Sequence, residues 1–346
     1  MTTRPQLLVI GGGSIGERHV RCFQQTQRVD VSLCETNPPV RAAVTERCGL
    51  RTTFDNFAAA IASQPDVAVI CTPAHLHISM ATQLIAAGVP VLIEKPLSTS
   101  LSGAEELIAL AQARQVTAGV AYVYRAHPAL QAMRQALQGG RFGPAVQVVA
   151  VFGQHFPFYR PAYRDIYYRD RATGGGAIQD ALTHVINAAE WLVGPITELT
   201  ADAAHLVLDG VTVEDTVHMI ARHSQVLANY SLNQHQCANE STLTVICEGG
   251  MVRYEAHSGR WLWAEHPETP WQVEPTEPLE RDGLFRRQAD AFLDAVQGTK
   301  PPLCDLKDGL QTLRVNLAAL RSVETRRWEA VTCQAAASNG PATCAS

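Results

Sequence analysis

The sequence predicts an α/β protein in two parts: a parallel sheet with crossover helices up to about residue 121, and a mostly antiparallel sheet with fewer helices after it. Three observations carry this. Up to residue 121, short apolar runs alternate with helical stretches, the mark of strands joined by helical crossovers. A glycine-rich loop joins the first run to the first helix. Beyond residue 121, strand-like runs follow one another with short turns, which suggests antiparallel pairing. A chain of 346 residues is long enough for two cores.

The first run, residues 6–10, leads directly into Gly11-Gly12-Gly13-Ser14-Ile15-Gly16, a G-x-G-x-x-G between a strand and a helix that opens at Ser14 and Ile15. Gly11 permits the tight turn, Gly13 lets the backbone approach a pyrophosphate, and Gly16 allows close helix–strand packing, with the phosphates at the helix N-terminus. The second run, residues 29–34, ends in Glu35. An acid about 20 residues past such a loop is placed to hydrogen-bond a ribose 2′-hydroxyl. Its charge would repel a 2′-phosphate, so NAD is expected rather than NADP. The alternative for Glu35 is an ordinary polar strand end.

Three more runs complete the parallel set, at residues 66–71, 89–93 and 116–120, with helices expected over 75–87 and 100–114. The third leads into Thr72-Pro73-Ala74-His75-Leu76-His77 and the fourth into Glu94-Lys95-Pro96. Open α/β sheets bind ligands at these carboxyl ends. Pro96 restricts Lys95 to extended backbone and so fixes its direction. A lysine there would place a charge near a reacting oxygen; otherwise it is a surface lysine paired with Glu94. His75 and His77 have no cysteine or carboxylate cluster beside them, and no metal is expected.

In the second part, strands are expected at residues 145–152, 198–208, 216–222, 226–232, 243–247 and 251–255. A helix over 178–192 is inserted among them, helices over 283–296 and 306–323 close the domain, and 332–346 form a loose tail. Within the inserted helix, just after Gly174-Gly175-Gly176, stand Asp180 and His184. Positions i and i+4 share a helical face. An acid there can orient a histidine and raise its pKa, which suits proton transfer. A solvated surface pair is the competing reading.

Composition bounds the partners. The net charge is −5 and no long basic run appears, which argues against a nucleic-acid surface. No apolar stretch approaches a membrane span, and because the first strand begins within a few residues of Met1 no signal peptide is expected. The nine cysteines are scattered with no C-x-x-C, and Cys22, Cys34, Cys71 and Cys247 lie in or near apolar runs. Buried reduced thiols and a cytoplasmic location are expected.

The loop Gly11–Gly16, Thr72-Pro73 with His77, Glu94-Lys95-Pro96, Tyr122-Val123-Tyr124-Arg125 and Gly174–His184 occur in this order. Over residues 5 to 330 the sequence resembles the Gfo/Idh/MocA family of sugar and cyclitol oxidoreductases. The resemblance implies a Rossmann dinucleotide-binding domain over 1–121 and an α/β domain over 122–331 whose open sheet binds substrate and assembles a homodimer or homotetramer. It implies a catalytic Lys95, Asp180 and His184, and cofactor contacts at Thr72, Pro73, His77, Glu94 and Lys95 besides the loop and Glu35. The expected substrate is a small sugar or cyclitol. One segment departs from the pattern: residues 155–173 hold four tyrosines and four arginines. Aromatic faces suit sugar rings and arginines suit carboxylate or phosphate. His155, Tyr163 and Tyr167 are therefore substrate-contact candidates, against a loop that packs on its own domain or a neighbouring subunit; Arg125 of the Tyr122–Arg125 run is a further candidate, against a structural role. Two other functions stay open: glycoside cleavage through transient oxidation by a tightly bound NAD, and a dinucleotide-binding regulator without catalysis.

Overall fold

The computed structural model describes residues 4–274, 279–280 and 282–331, so the expected tail over 332–346 lies outside the described residues. The chain runs β1 (Gln6–Ile10), α1 (Ser14–Gln25), β2 (Asp30–Cys34), α2 (Pro38–Cys48), β3 (Thr53–Phe54), α3 (Phe57–Ala62), β4 (Val67–Ile70), α4 (His77–Ala86), β5 (Val91–Ile93), α5 (Ala104–Arg114) and β6 (Ala118–Val120). These six strands form one sheet in the order β3-β2-β1-β4-β5-β6, parallel throughout. This is the doubly wound order of dinucleotide-binding folds, with the switch point between β1 and β4. Both faces of the sheet are covered. Leu7 and Val9 pack with Val20 and Phe23 of α1, while Leu8 and Ile10 pack with Ala81, Leu84 and Ile85 of α4. Burial on both faces is why these strands are near-continuous apolar runs.

The second sheet follows: α6 (Pro128–Gln138), β7 (Ala145–His155), α7 (Phe156–Tyr159), α8 (Thr183–Val193), β8 (Glu198–Ala204), β9 (Thr216–His223), β10 (Val226–Asn233), β11 (His235–Cys247), β12 (Gly250–Glu255), β13 (Arg260–Ala264) and β14 (Gln272–Glu274), then α9 (Gly283–Val296), α10 (Leu306–Thr325) and β15 (Glu329–Ala330). Its nine strands lie in the order β14-β13-β12-β11-β7-β10-β9-β8-β15. Every pair is antiparallel except β7 with β10, which run parallel at the centre, in line with the mostly antiparallel sheet expected. Side chains alternate along β9 and β10: Val217, Met219 and Ala221 face a core shared with α6 and α8, while His218, Ile220 and Arg222 face outward. Among the described residues no helix is long and apolar enough to cross a membrane.

The last two helices were expected to close the second part. They also return to the first. Ala289, Phe292 and Leu293 of α9 share a core with Leu7, Val9 and Phe23, and Leu306, Leu310 and Leu313 of α10 join the core on the opposite face of the parallel sheet. α10 also meets α8, so one helix touches both layers.

A buried polar seam fixes that junction. Tyr122 and Arg125 lie just past β6. The Tyr122 hydroxyl is 2.9 Å from Thr183 Oγ1, which also accepts from Asn316 Nδ2 at 2.9 Å. Arg125 is 3 % exposed; its Nε donates to Asn187 Oδ1 at 2.8 Å and its Nη1 to Leu303 O at 3.1 Å and to the Asp308 carboxylate. Asn187 and Thr183 both belong to α8, so the seam sets the height of that helix above the first sheet. Replacing Arg125 strands two buried acceptors. Arg125→Met should therefore lower unfolding free energy by about 2–4 kcal/mol in urea titration; a loss below about 1 kcal/mol would mean that the seam does not clamp the layers.

Candidate active site

The site begins at the glycine loop. Gly13 caps α1 with no side-chain hydrogen bond, and a Cβ built on it would meet nothing within 4 Å, so the space beside the helix N-terminus is open. A Cβ on Gly16, by contrast, would sit 1.9 Å from Gly11 O, so only glycine lets α1 start this close to its own loop. Glu35 closes the side of the cradle. Its Oε2 accepts from Gly12 N at 2.6 Å and its Oε1 from Asn37 N at 2.7 Å. An open helix N-terminus beside a carboxylate at the end of β2 fits a dinucleotide whose ribose carries a free 2′-hydroxyl.

The ends of β4 and β5 are locked together next to it. The buried His77 ring bridges Thr72 O (Nε2, 2.8 Å) and Pro96 O (Nδ1, 3.0 Å), tying the Thr72-Pro73 loop to the Lys95-Pro96 turn, whose peptide bond is cis. Burial lowers the pKa of His77. His75, two residues before it, is exposed. Glu94 Oε1 lies 2.7 Å from His19 Nε2 of α1, with both side chains buried, and Glu94 Oε2 accepts from Lys95 N at 3.1 Å. Burial alone would raise the Glu94 carboxyl, but the His19 hydrogen bond and charge, with Lys95, hold it below the usual range. His19 escaped the sequence reading; its place three residues past Gly16 was the only signal.

Lys95 does not end on the surface. Its Nζ donates to Asp180 Oδ1 and to Asp180 O, both at 2.8 Å, with side chains 12 % and 14 % exposed. The turn that presents Asp180 is not an ordinary α-helix: Ile178–Leu182 is a π-helical turn running into α8, a form that recurs at functional sites. The expected i, i+4 pairing of Asp180 with His184 is replaced accordingly, because the carboxylate is taken by Lys95 and by the Tyr167 hydroxyl at 2.7 Å. Burial would raise Asp180, but the charge and hydrogen bond of Lys95 outweigh it and keep the carboxylate ionised below its usual pKa. His184 rests against the rings of Tyr124 (5.4 Å) and Tyr122 (6.1 Å), and its Nδ1 is buried with no hydrogen-bond partner among the described residues. The expectation that the acid raises the histidine is reversed: burial pushes His184 down to about 3, Lys95 adds to the fall, and Asp180 only partly opposes it.

The glycine run before Asp180 brings the layers into contact. Gly174, at φ 96°, would place a Cβ 3.2 Å from Ala74 Cβ. Glu214, 1 % exposed, accepts from Ile178 N at 3.1 Å and from Arg171 Nε at 2.9 Å, holding the start of the π turn. It too was missed, since an acid between strands carries no local signal. Of the substrate candidates, Tyr167 is 40 % exposed beside Asp180, and His155 pairs across β7 and β11 with His235, ring centres 4.6 Å apart. Tyr163 is turned away, buried with its hydroxyl on Asp209 O at 2.8 Å, and Arg125 is committed to the seam. Gln234 accepts from the buried Tyr168 hydroxyl. The four cysteines read as buried thiols are buried and free.

A dinucleotide cradle facing a lysine–carboxylate pair and a neutral histidine defines an NAD-binding oxidoreductase fold of two layers. The family described as "Oxidoreductase family, NAD-binding Rossmann fold" matches residues 6–122, and the "GFO/IDH/MocA C-terminal domain" matches 130–253. The chain belongs to this Gfo/Idh/MocA family. It is 26 % identical to levoglucosan dehydrogenase of Pseudarthrobacter phenanthrenivorans over 56 % of this chain, a match that spans only 52 % of that protein. It is 25 % identical to inositol 2-dehydrogenase of Rhizobium meliloti over 94 % of this chain and 98 % of that one. The structure of levoglucosan dehydrogenase in complex with NADH and levoglucosan superposes with a TM-score of 0.85 at 20 % identity, covering 95 % of this chain and all (100 %) of that one, which establishes the shared fold.

The depressed His184 pKa has a thermodynamic consequence. In the unfolded chain the imidazole takes up a proton near pH 6.5, whereas in the folded protein it resists until about 3. Its contribution to stability is present above pH 6.5 and is lost as pH falls below that value. His184→Asn should therefore flatten the acid limb of the stability curve, losing on the order of 1–2 kcal/mol less than the wild type between pH 7 and pH 5. Parallel curves in urea titrations at the two pH values would contradict this.

Proposed function

We propose that the protein is an NAD-dependent dehydrogenase that oxidises a secondary alcohol of a sugar, sugar derivative or cyclitol, or reduces the corresponding ketone. The observation that carries this is the 2.8 Å contact of Lys95 Nζ with Asp180 Oδ1, which joins the strand ends of the dinucleotide layer to the helix bearing His184. Gly11, Gly13, Ser14, Ile15 and Gly16 form the cofactor cradle, Glu35 is the ribose contact, and Thr72, Pro73, His77 and Glu94 shape the nicotinamide side. Relatives named for levoglucosan and inositol support a cyclic polyol as substrate.

When bound, NAD⁺ supplies the hydride acceptor. The chain supplies the proton chemistry. His184, neutral at physiological pH, takes the hydroxyl proton of the substrate and returns it in the reverse direction. The Lys95 ammonium has three protons, two of them given to Asp180. The third is available to the reacting oxygen, where a positive charge in a partly dry site favours developing negative charge. Asp180 keeps Lys95 aimed. The outer face of the nine-stranded sheet exposes Val146, Ile220 and Leu227, which supports assembly of identical copies through that face. Free buried cysteines suit a reducing cytoplasm.

Absorbance of reduced nicotinamide tests the reading, with NAD⁺ and a panel of levoglucosan, inositols, sugars and sugar acids. At least one should give net NADH, and His184→Ala should cut kcat by about 100-fold or more while NADH binding changes little. Silence across the panel, with NAD released only on denaturation, would favour the internal redox cycle on glycosides. Unchanged ligand response in Lys95 and His184 variants would favour a regulator. Cofactor choice gives a separate check. Glu35→Ser should shift the NAD/NADP ratio of kcat/KM toward NADP by about tenfold or more, by removing charge repulsion at the 2′ position; an unchanged ratio would release Glu35 from that role.

A further inference from the structure

The tyrosine- and arginine-rich loop is only partly explained by packing. Tyr163 and Tyr168 are buried in a cluster with Phe156, Leu208, Val211 and Val213. Tyr167 is different: the residue as a whole is 40 % exposed, yet its hydroxyl reaches Asp180 at the centre of the site.

The direction of its hydrogen bond is fixed. The Tyr167 hydroxyl lies 2.7 Å from Asp180 Oδ1, the oxygen that also receives Lys95 Nζ at 2.8 Å. An ionised carboxylate can only accept, so the single phenolic proton is on that bond. What remains on Tyr167 is a pair of lone pairs. Burial, with the Asp180 charge, holds the phenol well above its ordinary pKa, so it stays neutral and keeps that proton. Lys95 has the opposite polarity, with one ammonium proton left to give. The two groups share one oxygen of Asp180 and so stand within two hydrogen-bond lengths of each other. Hydroxyls on neighbouring carbons span such a gap. The oxygen facing Lys95 accepts; the one facing Tyr167 must bring its own proton. An ether, a carbonyl or a bare methylene at that second place would leave the phenol oxygen unpaired, which a site built around hydrogen bonds penalises.

We propose that Tyr167 is a specificity-determining residue that accepts a hydrogen bond from a second substrate hydroxyl next to the oxidised carbon, so that the site selects vicinal diols over isolated secondary alcohols. The assignment rests on the dehydrogenase reading above and adds to it which substrates are refused.

The test crosses a variant with a substrate series. Wild type and Tyr167→Phe are assayed with NAD⁺ on levoglucosan and myo-inositol and on their monodeoxy analogues. In the wild type, loss of the neighbouring hydroxyl should lower kcat/KM by about tenfold or more. In Tyr167→Phe the diol and its deoxy analogue should become equivalent to within about twofold, with the loss on the diol side. Equal loss on both substrates would assign Tyr167 to orienting Asp180 only and overturn the proposal. Should Tyr167→Phe fail to fold, the wild-type series decides alone: no discrimination against any deoxy analogue overturns the proposal. If no diol yields NADH with the wild type, the dehydrogenase reading itself falls and takes this one with it. Activity with equal use of deoxy analogues removes only the Tyr167 assignment.

Discussion

The ion pair between Lys95 and Asp180 is the constraint on which the site depends. Lys95 stands at the end of a parallel strand and Asp180 on the helix of the other layer, and neither is more than 14 % exposed. A pair this deep costs much of its attraction in desolvation and is weak evidence for stability. Its consequence is geometric. It forces the strand ends, the glycine run at 174–176 and the start of α8 into one place, and the surrounding polar contacts serve it. His19 and Glu94 hold the backbone of Lys95, His77 clamps the turn behind it, and Glu214 holds the first N–H groups ahead of Asp180.

That arrangement separates the charges of the site into fixed roles. At His184, burial and the Lys95 charge together outweigh the opposing charges of Asp180 and Glu94. A histidine with a depressed pKa is a weak base in solution terms but is always in the form that can accept a proton. In the proposed reaction, such pre-ordered donors and acceptors would meet a substrate without rearranging, a large source of rate in general.

The sequence carried the local part of this design. Strands buried on both faces appear as unbroken apolar runs, and β1, β2, β4 and β5 were legible for that reason, as was the glycine loop. β3, only two residues long, has no pattern to read. The parallel pairing of β7 with β10 was not legible either, because it is set by a long connection rather than by either strand. In the site, residue type and spacing singled out Lys95, Asp180 and His184 as candidates, and the structure brings Lys95 and Asp180 into contact. Their partners were misjudged: the widening of the helix at Ile178–Leu182 turns Asp180 toward Lys95, and the sign of the His184 shift depends on depth. Neither follows from spacing. Tyr167 differed from Tyr163 and Tyr168 only in which side of the loop faced the core, and an irregular segment has no period that tells them apart.

The return of the last helices to the first sheet shapes the protein beyond its chemistry. Residues 283–296 complete the apolar face that residues 6–71 begin, and residues 306–325 complete the other. The dinucleotide layer is thus finished by chain that lies after the whole of the nine-stranded sheet. During synthesis its first 121 residues would emerge with both faces incompletely covered, and they reach their final packing only when the C-terminal helices arrive. Two parts drawn in sequence thus share their cores through the helices over 283–296 and 306–325.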